Sequence, residues 1–333
     1  MDVGAGFHYL LDCGDGVLRG APTAQLTCVA PGTSGTITVR GQPVDKDNGA
    51  TTYTATVTVN PNAPPSVTLT GPYSGAEGSA IAMHATASDP ENQPLSYDWD
   101  FGDGSAHGVG ASPSHACPDN GNYPITVKLT DGVNTTTTTT TASITNVAPT
   151  GTPVVPTGPV NQGTAFTISL ASVVEPSPVD QSSLQYRFSC GAGFGPLQSS
   201  ASFSCNQTVP GNYTVQLRVR DKDGGITTYS ASVTVVNVAP AVVITNPNPV
   251  HIPVGGTLNF VGRFTDLGTT DNPWQARITW GAGQGQKNFA SVTPGTNITG
   301  SHVYTTAGTY TVKLFVQDKF GAIGQQTLTV IVP

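Results

Sequence analysis

The sequence predicts an all-β chain built of tandem two-sheet sandwiches. Apolar and polar residues alternate in short runs such as Tyr123-Pro-Ile-Thr-Val-Lys-Leu-Thr130, Tyr213-Thr-Val-Gln-Leu-Arg-Val-Arg220 and Tyr310-Thr-Val-Lys-Leu-Phe-Val316. A half-buried strand needs this period of two, because successive side chains point to opposite faces. Gly, Pro, Asn and Asp interrupt the runs every eight to twelve residues, the spacing of a sandwich or barrel. Similar connectors recur at Val59-Asn-Pro-Asn-Ala-Pro-Pro65, Ile144-Thr-Asn-Val-Ala-Pro149 and Val236-Asn-Val-Ala-Pro240, which sets a repeat of roughly 90 residues.

Composition narrows the function classes. The 333 residues carry 13 Lys+Arg against 20 Asp+Glu, a net charge of −7, and only 10% are charged. Nucleic-acid binding by counterion displacement needs clustered basic residues that this chain lacks. No apolar run approaches the ~20 residues of a membrane span. Proline fixes φ and restricts the residue before it, so the connectors read as short, stiff links. They divide the chain into modules 1–62, 63–148, 149–239 and 240–333.

Within the modules, Tyr123, Tyr213 and Tyr310 each follow Gly-Asn or Gly-Thr and open an alternating strand that ends at Asp131, Asp221 or Asp318. This is the tyrosine-corner placement of immunoglobulin-like sandwiches. Tyr97-Asp-Trp-Asp-Phe-Gly-Asp-Gly104 resembles the WDFGDG signature of PKD domains. His302-Val-Tyr-Thr-Thr-Ala-Gly-Thr-Tyr-Thr-Val-Lys-Leu314 resembles the same family's second signature. Residues 63–148 match best, and Tyr186–Gly193 and Ile278–Gly283 keep degenerate forms of the first motif. The resemblance implies tandem immunoglobulin-like (PKD) β-sandwiches of seven strands, a fold widespread in extracellular proteins. It fixes no function.

The first module departs from this pattern. Phe7–Gly16 aligns with the signature, yet only eight residues precede Tyr9 where about thirty precede Tyr97. Module 1–62 is therefore expected to be incomplete, with its first two strands missing and one apolar face bare. Either the sequence is a window from a longer array, or another subunit supplies the strands. A head-to-tail contact of that kind does not close and builds a filament.

The repeat alignment pairs Cys13 with Cys28 and Cys190 with Cys205, each fifteen residues apart across the two sheets, and leaves Cys117 as a buried thiol. The same alignment sets Phe101 opposite Cys117 and Trp280 opposite Tyr304. Two disulfides point to an oxidising, extracellular or cell-surface compartment. No Cys-x-x-Cys pattern of a zinc or dithiol site occurs.

Acidic residues gather at one end of each sandwich: Asp89, Glu91 and Asp131; Glu175, Asp180, Asp221 and Asp223; Asp266, Asp271 and Asp318. Turn formation explains them first. Ca2+ at these joints is the alternative, since it takes six to eight oxygens and some PKD domains carry it there. No other cofactor is expected. Catalysis finds no support, because the histidines are scattered and neither Gly-x-Ser-x-Gly nor His-Glu-x-x-His is present. Sequons occur at Asn134, Asn206, Asn212 and Asn297, and the threonine run offers Thr135, Thr137 and Thr139 as O-linked positions. In so threonine-rich a chain chance supplies sequons, but glycans would also keep a weakly charged surface soluble. Tyr73, Phe194, Trp274 and Phe289 are the loop aromatics that a polysaccharide could use. The reading is an extracellular stalk, surface array or filament subunit that partners itself. Its alternative is an accessory carbohydrate- or protein-binding region of a secreted hydrolase or adhesin.

Overall fold

The computed structural model describes residues 6–21, 23–29 and 34–333. Among them there is no α-helix; strands account for the regular structure apart from a single 3-10 turn, Gln181–Ser183. The chain divides into two compact units, Met1–Thr145 and Asn146–Pro333.

The first unit opens with one antiparallel sheet, in the order Arg19–Ala21, His8–Asp12, Gly35–Val44, Tyr53–Val59. Among the described residues no second sheet faces it. The segment 23–29 crosses one side, tied by a disulfide between Cys13 and Cys28. The sequence expects Cys28 on a strand, but 23–29 forms none. A strand exists only with a ladder partner, and no described segment supplies one there. A cleft of about 720 Å3 remains between this segment and the sheet, lined by Leu11, Leu26, Cys28, Ile37, Val39 and Val57. Tyr53 and Val57 are exposed on the last strand.

Residues 63–145 form a closed sandwich. One sheet runs Gly108–Val109, Ser96–Asp100, Gly121–Thr130, Thr135–Thr145, Tyr73–Ala76. Two short pairs, Ser66–Leu69 with Ala85–Ser88 and Ile81–Ala82 with Ser114–His115, form the opposite layer. Trp99, Met83, Ile125 and Val127 fill the space between them. The threonine run pairs residue by residue with Gly121–Thr130, so Thr135, Thr137 and Thr139 are exposed while Thr136 and Thr138 turn inward.

The second unit repeats this plan twice. In 149–236 the three-stranded sheet Thr150–Val154, Ala165–Val174, Ser202–Asn206 is accompanied by the sheet Val160–Asn161, Ile226–Val236, Gly211–Arg220, Gln185–Ser189. In 241–332 the sheet Ala241–Ile244, Gly256–Thr265, Ile298–Tyr304 is accompanied by Val250–His251, Ile323–Val332, Gly308–Gln317, Trp274–Thr279, Gln286–Val292. Each module has its own apolar cluster, around Phe188 and Leu217 in one and Phe260, Ile278 and Leu314 in the other.

In all three closed modules the first strand is split. Its beginning pairs antiparallel in one sheet, and its end pairs parallel in the other, at Tyr73–Ala76, Val160–Asn161 and Val250–His251. Pro72, Pro159 and Pro249 stand at the break, where a residue without an N–H cannot continue a ladder. The tyrosine corner recurs as well: Tyr123, Tyr213 and Tyr310 each donate to a carbonyl four residues back, on Asp119, Val209 and Thr306, at 2.8–3.0 Å.

Candidate functional site: the module joints and a carboxylate cluster

Every linker carries an asparagine that grips the module following it. Asn62 Nδ2 donates to Asp131 Oδ2 at 2.9 Å, Asn146 to Asp221 at 3.1 Å, and Asn237 to Asp318 at 2.9 Å. The aspartates are held for this role. Each sits where the strand opened by the corner tyrosine turns into the last strand, and its other oxygen accepts backbone N–H groups of that turn: Val133 and Asn134, Gly225, and Phe320 and Ala322. In the first unit two more bonds fasten the linker, Asn134 Nδ2 to Asn62 O at 2.9 Å and Thr136 Oγ1 to Pro65 O at 2.6 Å. The Asn134 amide is thus engaged, whereas Asn206, Asn212 and Asn297 lie exposed.

The three acidic groups read from the sequence meet different fates. Asp89 folds back on the backbone N–H of Glu91 and Gln93, and Glu91 reaches the Ala63 N–H at 3.3 Å. Asp89, Glu91 and Asp131 form no three-carboxylate group among the described residues. At the next joint the Lys222 ammonium lies 2.8 Å from Asp180 and also against Asp223, so a protein cation already occupies that position. At the last joint carboxylates converge as well, and no lysine among the described residues bonds them there. Oxygens of Asp266, Asp271 and Asp318 lie within 4.8 Å of one another. Lys319, the counterpart of Lys222, turns instead to the Thr270 carbonyl at 2.7 Å.

Asp271 is the centre of this cluster. It is fully buried, and its Oδ1 has no hydrogen-bond partner. Its Oδ2 accepts from Gln162 Nε2, which also bonds Asn237 Oδ1 at 2.8 Å. Gln162 is fully buried too, and its Oε1 is likewise unpartnered. Asp266 accepts from the Gly268 N–H and from Trp274 Nε1 at 2.7 Å. Burial first, and then the charges of Asp266 and Asp318, push the Asp271 carboxyl above the usual range, although the Gln162 hydrogen bond and the Lys319 charge oppose this. Desolvated like charges with orphaned acceptor oxygens need a proton or a cation. A set made only of carboxylate and amide oxygens suits a hard ion such as Ca2+. The sequence groups Asp266, Asp271 and Asp318 by loop position. Gln162, in the preceding module, carries no signal that would have found it.

A second cluster is Asp103, His115 and Cys117. His115 Nε2 lies 2.6 Å from Asp103 Oδ2 and 3.4 Å from Ser105 Oγ. Both partners share one ring nitrogen, so there is no relay of nucleophile, base and orienting acid. Cys117 is fully buried, and burial raises its thiol to about 11, with Asp103 adding to the shift. The thiol stays protonated at neutral pH and is no nucleophile.

The cross-sheet pairs correct the alignment. Cys190 and Cys205 are bonded. Their counterparts are Phe101 stacked on His115 at 3.9 Å and Trp280 stacked on His302 at 5.3 Å. The sequence sets Cys117 and Tyr304 at these places. Both lie two residues further on, at the place of Gln207. Tyr304 and Gln207 each donate to the carbonyl of the residue that carries the lock, Trp280 and Cys190. Positions two apart share a strand face, so periodicity alone cannot separate them. The aromatics proposed for polysaccharide form no row either. Trp274 is buried, the Tyr73 hydroxyl bonds His84, and Phe194 packs under Arg218.

Comparison with known proteins follows the repeats. The PKD domain profile matches residues 62–145 and 237–332. The chain belongs to the PKD-domain family. Chitinase A of Pseudoalteromonas piscicida is 30% identical over 214 residues, which are 58% of this chain and 25% of that protein. The chain thus spans about a quarter of the length of this curated relative. Among solved structures, the Sidekick-1 immunoglobulin domains 1–5 are 13% identical with a TM-score of 0.36, covering 98% of this chain and 74% of theirs. The titin I-band fragment I67–I69 is 12% identical with a TM-score of 0.32, covering 81% and 98%. No helix among the described residues is long and apolar enough to cross a membrane.

Proposed function

We propose that the chain is an extracellular, non-catalytic structural region, a stalk or surface-array element whose modules are clamped to their linkers. The observation that carries this is the same asparagine-to-aspartate bond at Asn62, Asn146 and Asn237. A hydrogen bond to a charged group is worth about 1.5–3 kcal/mol, enough to hold a linker against its module most of the time. Ca2+ held by Asp266, Asp271 and Asp318, with Gln162 reaching in from the module before, would tighten the last joint further. The two disulfides suit an oxidising compartment. Limited proteolysis tests the clamp. The triple variant Asn62→Ala, Asn146→Ala, Asn237→Ala should be cut in its linkers at least tenfold faster than the unaltered chain. Equal rates would sink the reading.

Two finer readings have support of their own. Similarity to chitinase A favours an accessory region of a secreted hydrolase or adhesin, binding carbohydrate or protein. The apolar cleft left between segment 23–29 and the first sheet favours head-to-tail self-assembly, with a second copy filling it against Leu11, Ile37 and Val57. Analytical ultracentrifugation separates them: concentration-dependent polymers that Val57→Glu abolishes support the filament, and a monomer at all concentrations refutes it.

A further inference from the structure

The outer face of the third module concentrates positive charge in an otherwise acidic chain. Three of the seven arginines, Arg187, Arg218 and Arg220, alternate with the buried Tyr186, Phe188, Leu217 and Val219. They therefore project from the sheet formed by Gln185–Ser189, Gly211–Arg220 and Ile226–Val236. Arg187 and Arg218 are register partners, directly opposite across the ladder. Like charges in that relation destabilise a sheet.

The fold does not require them. The same two register positions in the second module hold Asp98 opposite Lys128, and in the fourth Arg277 opposite Phe315. Nor do acidic neighbours neutralise the third module's pair. Asp221 is committed to the Gly225 N–H and Asn146, and Asp180 and Asp223 to Lys222. Among the described residues none of the three arginines is ion-paired. Arg187 Nε donates to Gly195 O at 2.9 Å and Arg218 Nε to Thr228 Oγ1 at 3.1 Å, while Arg220 Nε is buried without a partner. Those bonds use the inner nitrogen and orient each guanidinium. Phe194 stacks 4.3 Å from the Arg218 guanidinium carbon and stiffens it. Gln185 is the register partner of Arg220, and Gln216 occupies the next outward place beside Arg218.

We propose that this face binds an acidic polysaccharide through the carboxylates of its uronate residues. Arginine forks match carboxylates bidentately. A uronate carboxylate is attached to the sugar ring itself. It meets the arginines when the ring lies on the sheet, where Gln185 and Gln216 offer amides to the ring hydroxyls. Three arginines on a chain of charge −7 make too small a footprint for a nucleic-acid backbone. The inference does not rest on the clamped joints, which it leaves untouched, and it gives the accessory carbohydrate-binding reading a substrate class.

Affinity electrophoresis of the full chain in gels containing polygalacturonate, dextran sulfate or uncharged dextran tests it, with single-stranded DNA as competitor. Retardation by polygalacturonate at physiological salt is expected, at least tenfold weaker for Arg187→Gln/Arg218→Gln and unchanged for Lys313→Gln on the fourth module. Thermal melting of the double variant should be equal to or above that of the unaltered chain, because a like-charge pair is gone. No retardation by polygalacturonate, or equal retardation of the double variant, overturns the proposal. Equal retardation by dextran sulfate, or displacement by DNA at equal charge, also overturns it, because charge alone would then explain the binding.

Discussion

Replacing both cysteines of the third module by alanine, Cys190→Ala and Cys205→Ala, gives the sharpest test of how these small sandwiches hold together. The bond closes a loop of 15 residues. In the chain-entropy account such a loop contributes about 3 kcal/mol by restricting the unfolded chain. Alanine leaves no unsatisfied polar group at the buried Cys205 position, and the packing lost with the two sulfurs adds to that figure rather than offsetting it. A domain of this size loses roughly 4–8 °C per kcal/mol, and its melting transition should fall by about 12–24 °C. Differential scanning calorimetry of the whole chain reads the shift, and hydrogen exchange in Gly211–Arg220 assigns the transition to the third module. The second module's transition should stay where it is, because its cross-sheet contact is the Phe101–His115 stack. A fall of under 4 °C, or an equal fall in both modules, would refute the reasoning.

Three further outcomes follow from the geometry. The carboxyl of Asp271 titrates above its ordinary value of 3.8, so its contribution to stability is whole below that value and is lost as pH rises through the folded value. Without Ca2+ the fourth module should lose stability on this account above pH 4. Ca2+ at a hundredfold over its Kd should restore about 2.7 kcal/mol at neutral pH, and Asp271→Asn should abolish both effects in calorimetric scans. Installing a bridge in the second module by Phe101→Cys and His115→Cys should close a loop of similar length yet lower the melting temperature. The removed Phe101 ring is worth about 3–5 kcal/mol and Asp103 Oδ2 loses the His115 ring; mass spectrometry of the bridge with a raised Tm would contradict this. Gly102 has φ +73°, and a side chain there would meet the Pro124 carbonyl at 2.4 Å. Gly102→Ala should therefore cost about 1–3 kcal/mol in denaturant unfolding, and a neutral effect would show that the turn can relax.

Much of the sandwich was legible because period-two runs and corner tyrosines are local signals. Tyr123, Tyr213 and Tyr310 announce their strands and find their carbonyls within four residues. The cross-sheet locks were half legible: the cysteines mark themselves, but the alignment set the aromatic partners at Cys117 and Tyr304, two places past His115 and His302 and on the same strand face. The carboxylate cluster was legible only as loop chemistry. Its decisive features, the isolation of Asp271 Oδ1 and the approach of Gln162, depend on packing between residues more than a hundred positions apart. Whether a lysine from the same loop turns inward, as Lys222 does, or away, as Lys319 does, is likewise a matter of what surrounds it. The Arg187–Arg218 juxtaposition required the ladder register, which no single strand declares.

The locks alternate along the chain: covalent in the first and third modules, aromatic in the second and fourth. Thiol reductants act on the former and are invisible to the latter. In a milieu that drifts between oxidising and reducing, every other module would soften while its neighbours kept their strength. Proteolytic loss would then begin at predictable places along the polypeptide.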